Sequence, residues 1–394
     1  MAYKFISSEN VKEKTLVVRL DLNSSIESGK LIVSSRIREH GKTVEALCKK
    51  GARLVLLAHQ GRKGDEDFTS LEQHALALAR LSKTKVFFCP WKSDFAKAIA
   101  DLKFGQALLL DNTRFQSDEA IEKTPEEHSK SQWVNSIASV SDFFVEDALS
   151  ACHRSHASVV GFGPLLPCFA GMQLEKEIIA LEKFETSKNR LFVLGGAKID
   201  DSVKMIGFLL ENRKADAVCL GGLLGELFLK AKGIMLGAKD NFFSEKGFDR
   251  LVPKAGEILN NFSQQIFLPL DVAVDENGKR KEVLAGRLPS NFPIMDIGAG
   301  TIFAIKEKIS SADFFVFNGP LGIFEKKGFE LGTKEIFAAL KKSGKQGILG
   351  GGDTETALQG LGFSLKDFYH VSLAGKALLE YLSGKKLPGL EILK

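Results

Sequence analysis

The stretch LFVLGGAKIDDSVKMIGFLLENRKADAVCLGG, residues 191–222, carries the pattern that decides the fold. Its two ends, LFVLGGAK (191–198) and AVCLGG (217–222), are short apolar runs that lead into a glycine pair. Apolar runs without alternation are typical of strands buried on both faces, and two such strands joined through a helix form a parallel βαβ unit. The stretch therefore predicts a parallel sheet.

Runs of the same kind recur along the chain, and helical patterns separate many of them. One helix face is indicated by Val44, Leu47 and Cys48, and Ser70 with Gln73 indicates a capping box before LEQHALALARL. Two sheets fit the length, so we expect an α/β fold with two doubly wound, Rossmann-like parallel-sheet domains joined by a hinge helix. The other runs are LVVRLDLN (16–23), RLVLLAHQGR (53–62), KVFFC (85–89), ALLLDNTR (107–114), DFFVEDA (142–148), IFLPLD (266–271), FFVFNGPLG (314–322), GILGGGDT (347–354) and HVSLAG (370–375).

The join between the domains is predicted at GFGPLLPCFAGMQLEKEIIALEKF (161–184), where prolines and glycines precede a long amphipathic pattern. We expect an N-terminal domain at 1–172 and a C-terminal domain at 173–378 that begins with a hinge helix at about 173–186. A tail at 379–394 is expected to pack back on the N-terminal domain. Open parallel sheets bind ligands at the carboxyl ends of their strands, so the residues that end each run are the candidates for chemistry.

Composition excludes several classes of protein. The 394 residues include 54 Lys and Arg against 49 Asp and Glu, and 44% are apolar, as in ordinary globular proteins. The net charge of +5 comes without a basic run that interleaves aromatics, which argues against nucleic acid as a partner. No apolar run reaches the ~20 residues that span a bilayer, and the start is unlike a signal peptide. Five scattered cysteines form no CxxC pair, so we expect a cytoplasmic protein without a membrane partner.

The strand ends of the first half are basic. Five arginines at five loop positions predict a pocket for a small, multiply charged anion, because guanidinium groups bind phosphate and carboxylate in a fork. The alternative is that each is a solvated surface arginine. The arginines are Arg19, Arg36, Arg62, Arg114 and Arg154, accompanied by Asp21, Asn23, His59, His153 and His156.

The strand ends of the second half carry glycine instead, and residues 1–172 hold only nine of the 37 glycines. Glycine at a strand-to-helix turn lets backbone N–H groups approach a phosphate, although tight turns and close packing also explain it. Lys198 supplies a cation for a phosphoryl group and Asp353 an oxygen ligand for Mg²⁺, so a nucleoside triphosphate with magnesium is the expected ligand. The glycines are Gly195, Gly196, Gly221, Gly222, Gly319, Gly322, Gly350, Gly351 and Gly352.

Several other motifs do not support a function. Gly41-Lys42-Thr43 lacks the first glycine of a P-loop, and no GxGxxG follows a strand. His153 and His156 lack a third metal ligand nearby in sequence, so anion binding explains them better. Cys152 is expected to be buried or incidental rather than a nucleophile. His40, His74 and His128 lie in charged surroundings and are expected at the surface.

Taken together, the motifs resemble those of the phosphoglycerate kinase family over nearly the whole chain. Two features are similar to archaeal members of the family. One is the motif GGAKIDDS, and the other is the short segment that separates AHQGR from DFTSLEQHA. The matching blocks are VRLDLN (18–23), Arg36, AHQGR (58–62), LLLDNTR (108–114), EDALSACHRSHASVVGF (146–162), LGGAK (194–198), LPLD (268–271), FNGPLGIFE (317–325), GGGDT (350–354), and HVS with GKKLPGL.

The resemblance implies reversible phosphoryl transfer between 1,3-bisphosphoglycerate and ADP, which gives 3-phosphoglycerate and ATP in a monomer that closes about its hinge. Arg36, Lys198, Gly375 and Lys376 would be catalytic, with Asp353 on the nucleotide's magnesium and Glu325 near the ribose. The triose acid would contact Asp21, Leu22, Asn23, Arg36, His59, Gln60, Gly61, Arg62, Arg114, His153, Arg154 and His156. The nucleotide would contact Gly195, Gly196, Ala197, Lys198, Lys204, Gly221, Gly222, Asn318, Pro320, Glu325, Gly350, Gly351, Gly352, Asp353 and Thr354.

Three departures from the family pattern leave a second interpretation open. The usual Ser-Thr-Gly-Gly-Gly run is here Ser372-Leu373-Ala374-Gly375-Lys376, and Lys376 is expected to supply charge in its place. Ser202 stands where the family usually has a second lysine that binds the nucleotide phosphates. The resemblance therefore assigns phosphate binding less directly to Lys204, the next lysine in the chain. Glu146 replaces a usual Asn. The alternative is therefore a nucleotide-binding paralogue with weak or no kinase activity that serves regulation or interaction.

Overall fold

The structure is a computed structural model that describes residues 3–394. It contains two compact units, which divide at residues 178 and 179, and residues 386–394 belong to the first unit. Each unit is built on a six-stranded parallel sheet, so the prediction of an α/β fold with two parallel-sheet domains is confirmed. No helix within residues 3–394 is both long and apolar enough to cross a membrane.

The first unit carries its sheet in the order β5-β6-β4-β1-β7-β8, with all neighbouring strands parallel. The strands of this part of the chain are β1 (Thr15–Arg19), β2 (Ile26–Glu27), β3 (Lys30–Leu31), β4 (Arg53–Leu57), β5 (Val86–Cys89), β6 (Ala107–Leu110), β7 (Phe143–Glu146) and β8 (Cys168–Ala170). The helices are α1 (Ser35–Lys49), α2 (Glu72–Ser82), α3 (Phe95–Asp101), α4 (Pro125–His128), α5 (Gln132–Ala138), α6 (Ala157–Val160) and α7 (Met172–Thr186).

The second unit carries a parallel sheet in the order β11-β10-β9-β15-β16-β17 and an antiparallel sheet in the order β13-β12-β14. Its strands are β9 (Arg190–Leu194), β10 (Ala217–Leu220), β11 (Ile266–Phe267), β12 (Asp271–Glu276), β13 (Lys279–Leu284), β14 (Ile294–Ile297), β15 (Phe314–Asn318), β16 (Gln346–Gly350) and β17 (His370–Val371). The remaining helices of the chain are α8 (Ile199–Glu211), α9 (Gly222–Ala231), α10 (Ala238–Glu245), α11 (Val252–Asn261), α12 (Ala299–Ser311), α13 (Leu331–Ser343), α14 (Gly352–Gly360), α15 (Lys376–Leu382) and α16 (Pro388–Glu391).

Strand β1 shows why the apolar runs lack alternation. All five of its residues are buried. Leu16 and Val18 pack into one hydrophobic cluster, whereas Val17 between them packs into another. Successive side chains of a strand point to opposite faces, so both faces of this sheet are covered. The sheet is therefore doubly wound, as the sequence predicts.

All eleven apolar runs form strands, but some elements and local features differ from the expectations. Strand β8 lies inside the segment predicted as the join, and the sheet of β12, β13 and β14 was not expected. The capping box at Ser70 is wrong: α2 begins at Glu72, and the Gln73 side chain instead bonds with the hairpin formed by β2 and β3.

The prediction that three histidines lie at the surface is also wrong. His40, His74 and His128 are each at most 2% exposed. His40 Nδ1 lies 2.9 Å from Asp147 Oδ2, and His74 Nε2 lies 3.2 Å from Gln60 Oε1. Their charged sequence neighbours occupy the outer faces of the same helices, so composition alone misplaced the histidines.

Candidate active site

A basic cavity lies in the first unit beside the loops that follow β4, β6 and β7. Its volume is about 720 Å³. The structure here brings together four side chains that the sequence assigned to the acid site. The lining consists of Arg62, Arg114, Arg154 and His156 with Lys63, Phe68, Phe115, Gln116, Ser117 and Ala120.

Asp21, in the loop after β1, orients Arg36. Asp21 Oδ2 lies 3.1 Å from Arg36 Nη1, and Ser150 Oγ donates a hydrogen bond to the same oxygen at 2.5 Å. Burial acts to raise the pKa of Asp21, but the Arg36 guanidinium and the Ser150 hydroxyl hold that pKa below its ordinary value. Asp21 is therefore ionised and fixes one side of Arg36, whose side chain is still 25% exposed and retains donors for an anion.

Gly61 ties the loop after β4 to two other loops of the site. Its N–H donates to Asn23 Oδ1 at 2.9 Å, and its carbonyl accepts a hydrogen bond from the Arg114 guanidinium. The φ angle of Gly61 is 62°, and a Cβ at this position would lie 2.5 Å from Asp67 Oδ1. Glycine is therefore required here, and the turn it forms holds both Asn23 and Arg114 in place.

Of the five arginines expected in the anion pocket, three line the cavity, whereas Arg36 and Arg19 do not. The departure from the expectation is largest for Arg19. Its side chain lies in the interior, and the residue is only 2% exposed. Arg19 Nη2 donates to His59 Nδ1 at 2.8 Å, and Nε donates to Ser158 Oγ at 3.0 Å. A guanidinium can only donate, so His59 accepts at Nδ1 and carries its proton on Nε2. Arg19 therefore sets the tautomer of His59.

His59 and His156 are neutral at pH 7. Burial, reinforced by the Arg19 guanidinium, holds the pKa of His59 well below its ordinary value. Burial and the guanidinium groups of Arg154 and Arg114 lower the pKa of His156 to about 3. Neither ring therefore adds positive charge to the site.

The arginines of the cavity oppose one another's charge. Burial, together with Arg154 and Arg19, lowers the pKa of Arg114 to about 10. Burial and the Arg19 and Arg62 guanidiniums likewise lower the pKa of Arg154. An anion with two or more charges would relieve this repulsion, so the arrangement favours a ligand that carries phosphate and carboxylate groups.

Two further residues of the expected acid site support its loops, and a third contacts one of its arginines. Leu22 is 0% exposed and belongs to a hydrophobic cluster. The Gln60 side chain accepts from Ser24 N at 3.0 Å and donates to Ser24 O at 2.9 Å. His153 Nε2 lies 3.2 Å from Arg154 Nε. The side chains of Leu22 and Gln60 thus hold the loops that carry the polar groups of the site.

Two cavities in the second unit share a wall formed by Gly196, Ala197 and Asp353. The larger has a volume of about 360 Å³ and the smaller about 210 Å³. The larger is also lined by Gly222, Leu223, Glu226, Lys239, Phe242, Ile294, Met295, Pro320, Gly322, Ile323, Phe324, Glu325 and Thr356. The smaller is also lined by Gly195, Lys198, Asp201, Ser202, Asn318, Gly319, Gly351, Gly352, Thr354, Gly375, Lys376 and Leu379.

Close backbone packing accounts for several of the glycines. Gly196 N donates to Pro320 O at 2.7 Å, which joins the loop after β9 to the loop after β15. A Cβ on Gly195 would lie 2.2 Å from Pro320 O, and a Cβ on Gly350 would lie 2.2 Å from Leu378 Cδ2. At Gly221 a Cβ would lie 2.9 Å from Leu321 Cδ2. Tight packing therefore explains these three glycines: backbone leaves no room for a side chain at Gly195, and leucine side chains leave none at Gly350 and Gly221.

Lys198 and Asp353 meet where the two cavities join. Lys198 precedes α8, Asp353 lies in the first turn of α14, and Lys198 Nζ is 3.3 Å from Asp353 Oδ2. Both side chains are more than half exposed, at 74% and 54%. Gly352, the first residue of α14, lines the smaller cavity, so backbone N–H groups and the helix dipole face it as well. A cation, a carboxylate and a helix start together suit a phosphate chain with its metal ion.

Two side chains behind this point hold the glycine turn. Asn318 Nδ2 donates to Gly350 O at 2.8 Å. Thr354 is fully buried, and its Oγ1 accepts from Gly319 N at 2.9 Å. The turn between β16 and α14 is thus fastened to the end of β15.

The altered segment near the C-terminus forms another wall of the smaller cavity. Gly375, with φ 56°, caps α15, which begins at Lys376. The Lys376 side chain is 58% exposed, and its Nζ lies 3.7 Å from Glu380 Oε1. Lys376 therefore has the freedom to reach an anion in this cavity.

Ser202 and Lys204 differ in their relation to the cavity. Ser202 lines it and donates through Oγ to Lys198 O at 3.2 Å. Lys204 is exposed on α8 and is not among the described residues that line either cavity. Within residues 3–394, the lysines that line the smaller cavity are thus Lys198 and Lys376.

Sequence reasoning missed two titratable residues of the larger cavity, Glu226 and Lys239. Both are buried. The only signal was a lone acid in the apolar segment GLLGELFLKA of α9.

Three comparisons place the chain among known proteins. The family model described as phosphoglycerate kinase matches residues 6–385. The phosphoglycerate kinase of Natronomonas pharaonis is 41% identical over 383 residues, which cover 96% of each chain. The crystal structure of phosphoglycerate kinase from Pyrococcus horikoshii OT3 superposes with a TM-score of 0.90 at 35% identity, covering 99% of this chain and 98% of the other. The structure of phosphoglycerate kinase from Coxiella burnetii superposes with a TM-score of 0.84 at 29% identity, covering 100% of this chain and 99% of the other. The chain belongs to the phosphoglycerate kinase family.

Proposed function

We propose that this chain catalyses reversible phosphoryl transfer between 1,3-bisphosphoglycerate and ADP, giving 3-phosphoglycerate and ATP. The observation that carries the proposal is the pair of Lys198 and Asp353, 3.3 Å apart at the junction of the two cavities of the second unit. A cation beside a single carboxylate at a helix start is suited to a magnesium-bound phosphate chain.

The acid substrate is assigned to the basic cavity of the first unit. 3-Phosphoglycerate carries a phosphate and a carboxylate, which together relieve the repulsion among Arg62, Arg114 and Arg154. The imidazole rings of His59 and His156 are neutral because their pKa values are low, so we assign them to hydrogen bonding rather than to charge neutralisation. Arg36, which Asp21 holds in place, is assigned to the carboxylate end of 3-phosphoglycerate, where the phosphoryl group is transferred.

The nucleotide is assigned to the two cavities of the second unit. The apolar lining of the larger cavity suits the base, with Glu325 for the ribose, and the smaller cavity suits the phosphates. Asp353 fits Mg²⁺, which proteins bind through one or two carboxylates together with substrate phosphates. No cluster of three His, Cys, Asp or Glu side chains that could hold an ion occurs in residues 3–394. When bound, the metal would neutralise charge on the phosphates.

The chemistry requires positioning rather than a general base. The carboxylate of 3-phosphoglycerate is ionised at pH 7, so its oxygen attacks the γ-phosphorus directly. The bond from that phosphorus to the β–γ bridging oxygen breaks, and its electron pair leaves with ADP. Lys198 and Arg36 stabilise the charge on the transferred group, and Lys376 with the Gly375 turn adds a further cation. Both substrates must come together for this step, so we expect solution scattering to show contraction only when both are bound.

A coupled assay with 3-phosphoglycerate and ATP tests the proposal. Turnover at ordinary kinase rates supports it, whereas tight ADP binding without turnover would favour the regulatory paralogue, for which the comparisons give no support. A monomeric state and a location in the cytoplasm remain predictions from the sequence.

A further inference from the structure

Glu226 is a buried acid in the wall of the larger cavity. It lies in α9, where Lys230 is the only other charged side chain. The residue is 4% exposed, and among the residues that the structure describes its Oε2 has no hydrogen-bond partner. A buried polar atom without a partner costs free energy, so a group left in this state inside a cavity indicates a contact with a ligand.

Lys239 does not satisfy this carboxyl. Its Nζ donates to Ile294 O at 2.9 Å and lies 3.9 Å from Glu226 Oε2, beyond hydrogen-bond distance. The ammonium also lies 5.1 Å from the centre of the Phe242 ring. Lys239 is therefore held in place by other groups and leaves Oε2 of Glu226, a residue that lines the cavity, without a hydrogen bond.

The surroundings keep Glu226 protonated near neutral pH. Burial raises its pKa to about 8, although Lys239 opposes the shift. A neutral carboxyl offers a carbonyl acceptor and an O–H donor side by side. An adenine base presents the matching pair, a 6-amino donor next to the N1 acceptor.

We propose that Glu226 is a specificity-determining residue that recognises the adenine base, with its carbonyl oxygen accepting from the 6-amino group and its O–H donating to N1. This contact rests on the proposed assignment of the nucleotide base to the larger cavity. The apolar residues Ile294, Met295, Pro320, Ile323 and Phe324 line the same cavity and suit the faces of the ring. Gln at this position would present the same donor and acceptor pair, whereas Leu would present neither.

The test compares ATP with purine riboside 5′-triphosphate, which lacks only the 6-amino group. Dissociation constants are measured by calorimetry for the full chain and for Glu226→Gln and Glu226→Leu, with thermal unfolding to verify that each variant folds. The unchanged chain should bind ATP about tenfold more tightly than the analogue, because losing the amino group leaves a buried acceptor unpaired. Glu226→Gln should keep most of this preference, and Glu226→Leu should reduce it to within about twofold.

The outcomes separate this contact from the nucleotide site itself. Equal binding of ATP and the analogue by the unchanged chain would overturn the base contact and leave the nucleotide site intact. An undiminished preference for ATP in Glu226→Leu would also overturn it. Binding of neither nucleotide would overturn the proposed nucleotide site and with it the contact. A purely structural role for Glu226 would weaken both nucleotides equally in each variant, and this too would contradict the proposal.

Discussion

Replacing Lys198 by alanine should lower kcat strongly and leave the free energy of unfolding nearly unchanged, which tests its proposed catalytic role. The ammonium lies 3.3 Å from Asp353 Oδ2, and both side chains are more than half exposed. An exposed ion pair contributes between about 0 and 1 kcal/mol, so the free energy of unfolding should change by no more than about 1 kcal/mol. The loss of one group that stabilises the transferred phosphoryl typically lowers kcat by ~10²–10³-fold.

The pair of Lys254 and Glu257 provides a matched control. Lys254 Nζ lies 3.0 Å from Glu257 Oε2, and these side chains are 49% and 57% exposed. Lys254→Ala thus removes a similar surface ion pair from the same unit, in a helix whose described residues do not line either nucleotide cavity. Both variants should unfold at nearly the same urea concentration as the unchanged chain, while only Lys198→Ala loses turnover in the coupled assay.

Two results would refute this reasoning. Near-normal kcat in Lys198→Ala would remove the residue from the transfer step. A loss of stability much beyond about 1 kcal/mol in that variant would show that the ion pair is structural, contrary to its exposure. A fall in kcat for Lys254→Ala equal to that for Lys198→Ala would mean that general surface charge governs the rate.

Three further predictions concern other parts of the site and the interior. Arg36→Ala should lose most turnover, by ~10²-fold or more, while circular dichroism remains native; normal turnover would exclude Arg36 from the reaction. Lys376→Ala should lower kcat, because Lys376 adds charge at the altered glycine run, and unchanged kinetics would contradict that role. Burial lowers the pKa of His74 to about 4, below its ordinary value near 6.5, so the unfolded chain binds the proton first as the pH falls. Its contribution to stability is full above pH 6.5 and should fall by about 2 kcal/mol between pH 7 and pH 5. Urea unfolding should show a smaller pH dependence in His74→Leu, and an identical dependence would contradict the assignment.

The parallel sheets were predictable because their strands are buried on both faces and read as uninterrupted apolar runs. Strand β13, KRKEVL, was missed because it lies at the edge of an antiparallel sheet and most of its residues are exposed. Strand β8 has only three residues and follows a proline within a segment rich in turn residues. These two strands therefore lack the uninterrupted apolar run on which the prediction depends.

The candidate site shows a similar division. Lys198, Asp353 and the arginines could be recognised because strand ends carry the chemistry of parallel sheets. Sequence could not show that Arg19 turns inward to His59, since the direction of one side chain depends on packing with distant residues. Glu226 was missed because a single acid in an apolar helix gives no signal until the helix is placed beside a cavity.

The most direct test of the central claim is the fate of the γ-phosphoryl group of ATP. The full chain is incubated with Mg-ATP, 3-phosphoglycerate and hydroxylamine, which traps an acyl phosphate as a hydroxamate. The proposed transfer to the carboxylate predicts one hydroxamate for each ADP formed and little ADP without 3-phosphoglycerate. ADP and inorganic phosphate without hydroxamate, or no turnover despite nucleotide binding, would contradict the account.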